Sequence, residues 1–330
     1  MPCFSPLHGF YSRALRKMFF GTIPHDIIAQ YHDSFEEMSV PCGKCIGCRL
    51  ERSRQWAVRC VHEASLHCEN SFLTLTYAPE NLPSNGSLVK HDLTLFFKRL
   101  RKAYPDRKLR YFACGEYGEQ FDRPHYHVIL FGLDPRGNER KNLCLVKHPS
   151  PAALSLSPLQ SLLSLSPLFG GLQDVLDVSN AKVTYSPEIE KIWQKGHVFV
   201  GSVSFESCAY VARYCLKKIN GKDAAEHYQG RQPEYVVMSR RPGIGGDWFE
   251  SYKGDVFPAD AVFARGYQCK PPRFYDERLK EYDASLFELI KTRRLVAAKS
   301  NEVSPGRLEV MHEVAKRNQE KISRKYEKNG

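Results

Sequence analysis

Two β-prone runs, Leu109 to Glu116 and His125 to Phe131, constrain this chain most. They flank a loop from Tyr117 to Pro124 that carries Gly118, Asp122 and Pro124. Runs of this kind on either side of turn formers read as a hairpin, which commits the chain to an antiparallel sheet. More strand-like sequence lies on both sides. Ser71 to Tyr77 is rich in β-branched and aromatic residues and stops at Ala78-Pro79, and Val198 to Val203 and Tyr235 to Met238 read as further strands. Leu93, Phe96, Phe97 and Leu100 fall at i, i+3, i+4, i+7 and predict an amphipathic helix. A second helix is expected from Cys208 to Ile219, with Ser207 as N-cap and Lys217 and Lys218 in its last turn. The order strand, helix, hairpin, strand, helix, strand predicts an α+β domain, an antiparallel sheet with helices on its faces. That domain is expected over 71–245. A basic, Cys-rich segment precedes it over 1–70, and a C-terminal extension over 246–330 ends in a basic helical tail.

The balance of 48 Lys and Arg against 37 Asp and Glu leaves a net charge of +11. Such a surplus suits a polyanionic partner, with nucleic acid ahead of an anionic membrane surface. Lys98, Arg99, Arg101, Lys102, Arg107, Lys108 and Arg110 gather on the other face and exit of the first predicted helix. They are expected to form a phosphate-facing surface in preference to a merely solvated one. Eleven cysteines is an odd number, and no apolar segment follows a charged start, so a reducing, intracellular compartment is expected. The uncharged stretch from Pro151 to Leu172 is long enough to span a membrane, but Pro151, Pro158, Pro167, Gly170 and Gly171 interrupt it. No GxxxxGK[ST] phosphate loop occurs, which excludes a P-loop ATPase that would unwind DNA.

Side chains alternate across a strand, so His125 and His127 share one face, with Tyr126 on the other. Glu116 ends the first hairpin strand opposite the start of the second, where its carboxylate can reach an ion held by both imidazoles. Glu119 competes for that role from inside the loop. Two imidazoles and one carboxylate leave coordination positions open, as a catalytic divalent site requires. On the second predicted helix, Tyr210 and Tyr214 lie four residues apart and share a face, with Lys217 three residues beyond Tyr214. Alone, that pair fits core packing; beside a metal it also fits nucleophiles toward phosphorus. Cys42, Cys45 and Cys48, completed by Cys60, read either as a zinc site or as reduced thiols packed beside a helix bearing Leu50, Trp56 and Val61. Arg240 and Arg241, ahead of a glycine-rich turn, read as a DNA contact or an ordinary exposed loop.

Taken in order, the strand Phe72 to Tyr77, the His125-Tyr126-His127 pair and the two-tyrosine helix resemble the rolling-circle replication initiators. Closer likeness is to those of the microviruses, in the gokushovirus group. It rests on Pro41-Cys42-Gly43-Lys44-Cys45, Gly115 to Glu119, Ser207 to Lys218 and Met238 to Gly245, and covers about Pro41 to Pro272. The stretch from about 143 to 176 departs from the family pattern and reads as an insertion. The resemblance implies a relaxase-like nuclease fold and a site-specific DNA endonuclease and ligase that transfers strands through phosphotyrosine. It implies a Mg²⁺ or Mn²⁺ ion on His125, His127 and Glu116, nucleophiles at Tyr210 and Tyr214, and Lys217 beside them. Arg123, Arg213, Lys218, Arg240 and Arg241 are the expected DNA contacts. Implied partners are single-stranded and supercoiled phage DNA at the origin and the host helicase and polymerase, in the cytoplasm of an infected bacterium, with no membrane. The alternative is a non-catalytic, zinc-containing DNA- or RNA-binding regulator built on the N-terminal cysteines.

Overall fold

The structure is a computed structural model that describes residues 3–31, 34–118, 121–136, 184–214, 223–300 and 303–328. The expected insertion at 143–176, the apolar stretch from Pro151, Glu119, Lys217 and Lys218 lie outside the described residues, as does the side chain of Tyr214. The chain divides into two compact units, Met1–Arg52 with Val296–Gly330, and Ser53–Leu295.

The larger unit is built on a six-stranded sheet. Its strands are β4 (Asn70–Thr76), β5 (Arg110–Tyr117), β6 (Pro124–Phe131), β7 (Thr184–Tyr185), β8 (Val198–Gly201) and β9 (Tyr235–Met238), in the order β7-β8-β4-β6-β5-β9. Every pairing in it is antiparallel. The central strand β6 is buried on both faces, which explains why Val128 to Phe131 reads as one continuous apolar run after the paired histidines.

The two faces take different helices. Leu73, Leu75, Ala113, Tyr126, Val128 and Leu130 face α3 (Lys90–Ala103) and α4 (Pro187–Trp193). All four periodic residues of α3, Leu93, Phe96, Phe97 and Leu100, are buried there. The other face, with Phe112, Cys114, Ile129 and Phe131, meets Ala57 and Cys60 of α2 (Ile46–Ala64) and Cys208, Val211 and Ala212 of α5 (Phe205–Tyr214). The expectation of an antiparallel sheet with helices on its faces is thus met. Beyond this second layer, Val58 of α2 packs with α7 (Gly246–Val256), α8 (Arg273–Tyr282) and Ile290 of α9 (Ala284–Ser300).

The basic run of α3 and its exit divides: Lys98, Arg101, Lys102 and Lys108 are exposed, while three guanidiniums are engaged by the fold. Arg110 is buried and pairs with Glu63 at 2.5 Å, Arg107 pairs with Glu69, and Arg99 donates to the Trp193 carbonyl at 2.8 Å and to Gln194 at 2.6 Å. These three guanidiniums are committed to partners within the fold. Helix α3 also covers the sheet face opposite to the one that bears Glu116 and the histidines.

The smaller unit holds a second antiparallel sheet, β2-β1-β3, from β1 (Leu7–Ser12), β2 (Lys17–Phe19) and β3 (Phe35–Val40). It also contains α1 (His25–Tyr31), the first turns of α2, and α10 (Pro305–Lys328). Among the described residues no helix is long and apolar enough to cross a membrane.

Candidate active site

Register alone brings the candidate ligands together. Glu116 of β5 pairs with His125 of β6, and His127 pairs with Cys114 on one side and Thr74 of β4 on the other. Pleating puts Glu116, His125, His127, Thr74 and Phe72 on the face that α5 covers. One oxygen, Glu116 Oε1, lies 2.6 Å from His125 Nε2 and 3.1 Å from His127 Nε2. The far nitrogens are also held. His125 Nδ1 donates to the Arg123 carbonyl at 3.1 Å, and His127 Nδ1 is 3.1 Å from the Thr74 hydroxyl. Partners of that kind fix ring orientation and turn both Nε2 atoms toward Glu116.

The donor set fits a cation. With Nδ1 committed as donor, a neutral His125 presents a lone pair to a carboxylate oxygen, a contact satisfied by a second ring proton or by a cation that both atoms ligate. Glu116 is 4% exposed, and its second oxygen, Oε2, is buried and finds no hydrogen-bond partner among the described residues. Burial opposes ionisation of this carboxyl, yet the hydrogen bonds and charge of the two histidines outweigh it and hold Glu116 below its ordinary range. A buried, ionised carboxylate with a bare oxygen beside two imidazoles is the chemistry of an open oxygen-and-nitrogen metal site.

Helix α5 adds the phenol. Its start is set by reciprocal bonds between Ser204 and Ser207: each backbone N–H donates to the other's hydroxyl, at 2.8 and 3.2 Å. Ser204 is therefore the N-cap and Ser207 the third helical residue, so the helix begins earlier than a cap at Ser207 implies. Cys208, Val211 and Ala212 seat α5 on the sheet, and Ser53 Oγ of α2 donates to the Ala209 carbonyl at 3.0 Å. Tyr210 is consequently half-buried with its ring edge-on to His127, 5.2 Å between centroids, and 6.4 Å from Phe72. The Arg213 guanidinium sits 5.9 Å from the same ring. Tyr214 follows one turn later as the last described residue of α5.

The other expected site residues are scattered. Arg123 is exposed and donates to the Tyr77 carbonyl at 2.9 Å. Arg240 and Arg241 are exposed on a loop pinned from behind by three bonds. Arg59 donates to the Ile244 carbonyl, Arg110 to that of Pro242, and the Gly245 N–H donates to Glu63. Cys60 does not join the other cysteines. It lies twelve residues beyond Cys48 along α2, about 18 Å of helix rise, and is fully buried against the sheet. Sequence reasoning missed Thr74 and the Arg123 carbonyl. The pairing of His127 with Thr74 was the signal that could have found the first.

A family model described as replication-associated protein ORF2/G2P matches residues 70–219, which contain five of the six strands of the larger sheet, the paired histidines and the tyrosine helix. The replication-associated protein ORF2 of Spiroplasma virus 4 is 30% identical over 319 residues, covering 91% of this chain and 87% of the relative. The chain belongs to this family of replication-associated proteins. Replication-associated protein VP4 of Bdellovibrio phage phiMH2K is 32% identical across 74% of this chain and 71% of its own length. Replication-associated protein ORF4 of Chlamydia phage 1 is 29% identical across 78% of this chain and 59% of its own. The resemblance to microvirus replication initiators is borne out by these matches. No solved structure matches the chain.

Proposed function

We propose that this chain is a site- and strand-specific DNA endonuclease and ligase that starts rolling-circle replication of a small phage genome. The observation that carries the reading is the edge contact of Tyr210 with His127, beside the Glu116, His125 and His127 cluster. A Mg²⁺ or Mn²⁺ ion held by those three residues supplies Lewis-acid polarisation of the scissile phosphodiester when bound. Tyr210 then forms a bond from its phenol oxygen to phosphorus as the bond from phosphorus to the 3′-oxygen breaks. The phenol proton goes to solvent and the leaving oxygen takes one up. The products are a 5′-phosphotyrosyl link and a 3′-hydroxyl that primes synthesis. Arg213, beside the Tyr210 ring, favours the phenolate.

Tyr214 cleaves the regenerated site one round later. The 3′-hydroxyl released there displaces the first tyrosine from phosphorus and closes the circle. Either tyrosine can take either turn, since both stand on one helix. Lys217 supports the phenolates, while Arg123, Arg213, Lys218, Arg240 and Arg241 contact phosphates along the strand. A sheet carrying its paired histidines on a central strand, with the tyrosine helix over them, supports the relaxase-like reading. Single-stranded and supercoiled phage DNA are the substrates. Host helicase and polymerase complete replication in the cytoplasm of the infected bacterium.

The test is nicking of labelled origin DNA in Mg²⁺ or Mn²⁺. His127→Ala and Glu116→Gln should each lower cleavage by roughly 100-fold or more, since even outer partners of a metal site are worth about 10–100-fold. Most DNA binding should survive, because phosphate contacts supply it. EDTA should act on the wild type as the variants do. Undiminished cleavage by either variant, or in EDTA, removes the metal site from the account, and a protein that binds without ever nicking is the non-catalytic regulator.

A further inference from the structure

The smaller unit has almost no apolar core. Among its described residues, the buried hydrophobic side chains are Phe4, Met311 and Ala315, against which Cys45 and Ile46 pack. Its sheet β2-β1-β3 is exposed or only half-buried at all but two of its positions. A unit with so little buried apolar surface needs another source of stability, and small folds find it in disulfides or in metal.

Four cysteines meet in that unit. Cys3, Cys42, Cys45 and Cys48 bring their sulfurs within 4.8 Å of one another. The Cys3 and Cys45 sulfurs are 3.8 Å apart and all four thiols are free, so the separation is far beyond the roughly 2.05 Å of a disulfide. It matches the edge of a tetrahedron around zinc, where four Zn–S bonds of about 2.3 Å place sulfurs about 3.8 Å apart. Backbone amides also point at the sulfurs. The N–H of Phe4 donates to Cys45, that of Cys42 to Cys3, and that of Cys45 to Cys42, at 3.2 to 3.4 Å. Donors so aimed stabilise thiolate rather than thiol. The loop that arranges them turns at Gly43, whose φ of +73° is one that a side chain rarely tolerates. Cys48 follows in the first turn of α2.

We propose that Cys3, Cys42, Cys45 and Cys48 form a tetrathiolate zinc site that ties residues near the chain start to the loop 41–45 and the first turn of α2. With no position left for substrate or water, the site is structural. Binding converts the thiols to thiolates and releases their protons to solvent. Phe4, next to Cys3, stacks on His312 of α10 at 5.5 Å and packs on Met311, so the metal anchors the apolar contacts of the unit as well.

The experiment uses the full chain purified after expression in zinc-supplemented medium, with zinc measured by elemental mass spectrometry. About one tightly held zinc per chain is expected. Replacement by Co²⁺ should give the intense visible bands of tetrahedral cobalt thiolate. Cys3→Ser should lose most of the zinc and shift or abolish the cobalt bands, whereas Cys60→Ala and Cys269→Ser should retain both. Glu116→Gln should also retain the zinc, which separates this site from the one proposed for nicking. Wild-type protein without zinc and without cobalt thiolate bands overturns the proposal. So does a Cys3→Ser protein with unchanged metal content and spectrum.

Discussion

Glu116 and His62 are both buried ionisable side chains of the larger unit, and opposite forces hold them. Glu116 stays ionised because two imidazoles face it. His62 stays neutral because burial disfavours the imidazolium and pushes its pKa down to about 3. Its ring stacks on Trp248 at 3.5 Å, and Nδ1 meets the Tyr275 hydroxyl at 2.8 Å. The folded value lies below the ordinary histidine value of about 6.5, so the unfolded chain binds the proton first as pH falls. Stability from neutral His62 is therefore whole above about pH 6.5 and drains away toward pH 3. Between about pH 6.5 and 5, wild type should lose about 2 kcal/mol more than His62→Gln in chemical denaturation, at 1.36 kcal/mol per unit. Equal losses contradict the assignment. Residues of this kind were partly legible in sequence. His125, His127 and Glu116 could be read because strand period and register follow from the hairpin. Cys3 could not, since a lone cysteine 39 residues before its nearest partner carries no spacing signal. Nor could the burial of Arg110, whose partner Glu63 comes from a helix far back in the chain.

Among the elements, β9 appears with its expected bounds, Tyr235–Met238, and the apolar stripe of α3 is buried as its period required. The short strands of the smaller unit were not read. Few of their side chains are fully buried, so no clean alternation of apolar and polar residues marks them. Helix α5 began earlier than expected because two serines three apart compete for the N-cap and Ser204 holds it. That difference has a measurable consequence. Ser204→Ala removes the cap and should cost about 1 kcal/mol, which lowers Tm by roughly 2–4 °C in a unit of this size. Thermal melts give the answer, and an unchanged Tm would mean that Ser207 caps the helix unaided.

For the whole molecule, the net charge of +11 was a sound guide to a nucleic-acid role and a poor guide to where the surface lies. Arg99, Arg107 and Arg110 satisfy internal carbonyls and carboxylates, while Arg123, Arg240 and Arg241 remain exposed. The missing phosphate loop predicts that the pure protein nicks supercoiled origin DNA without ATP and leaves relaxed duplex unseparated. A steady ATPase rate in a phosphate-release assay would contradict this. The central claim is that tyrosine on α5 becomes joined to DNA. Its most direct measurement is a denaturing gel after incubation with labelled circular single-stranded origin DNA and Mn²⁺. Wild type should carry label at the position of the protein. Phe keeps all of a tyrosine ring and lacks only the hydroxyl, so Tyr210→Phe and Tyr214→Phe should each stay folded and bind DNA. Each single variant should lose circle closure, and the double variant should carry no label. Label retained on the double variant would contradict the account.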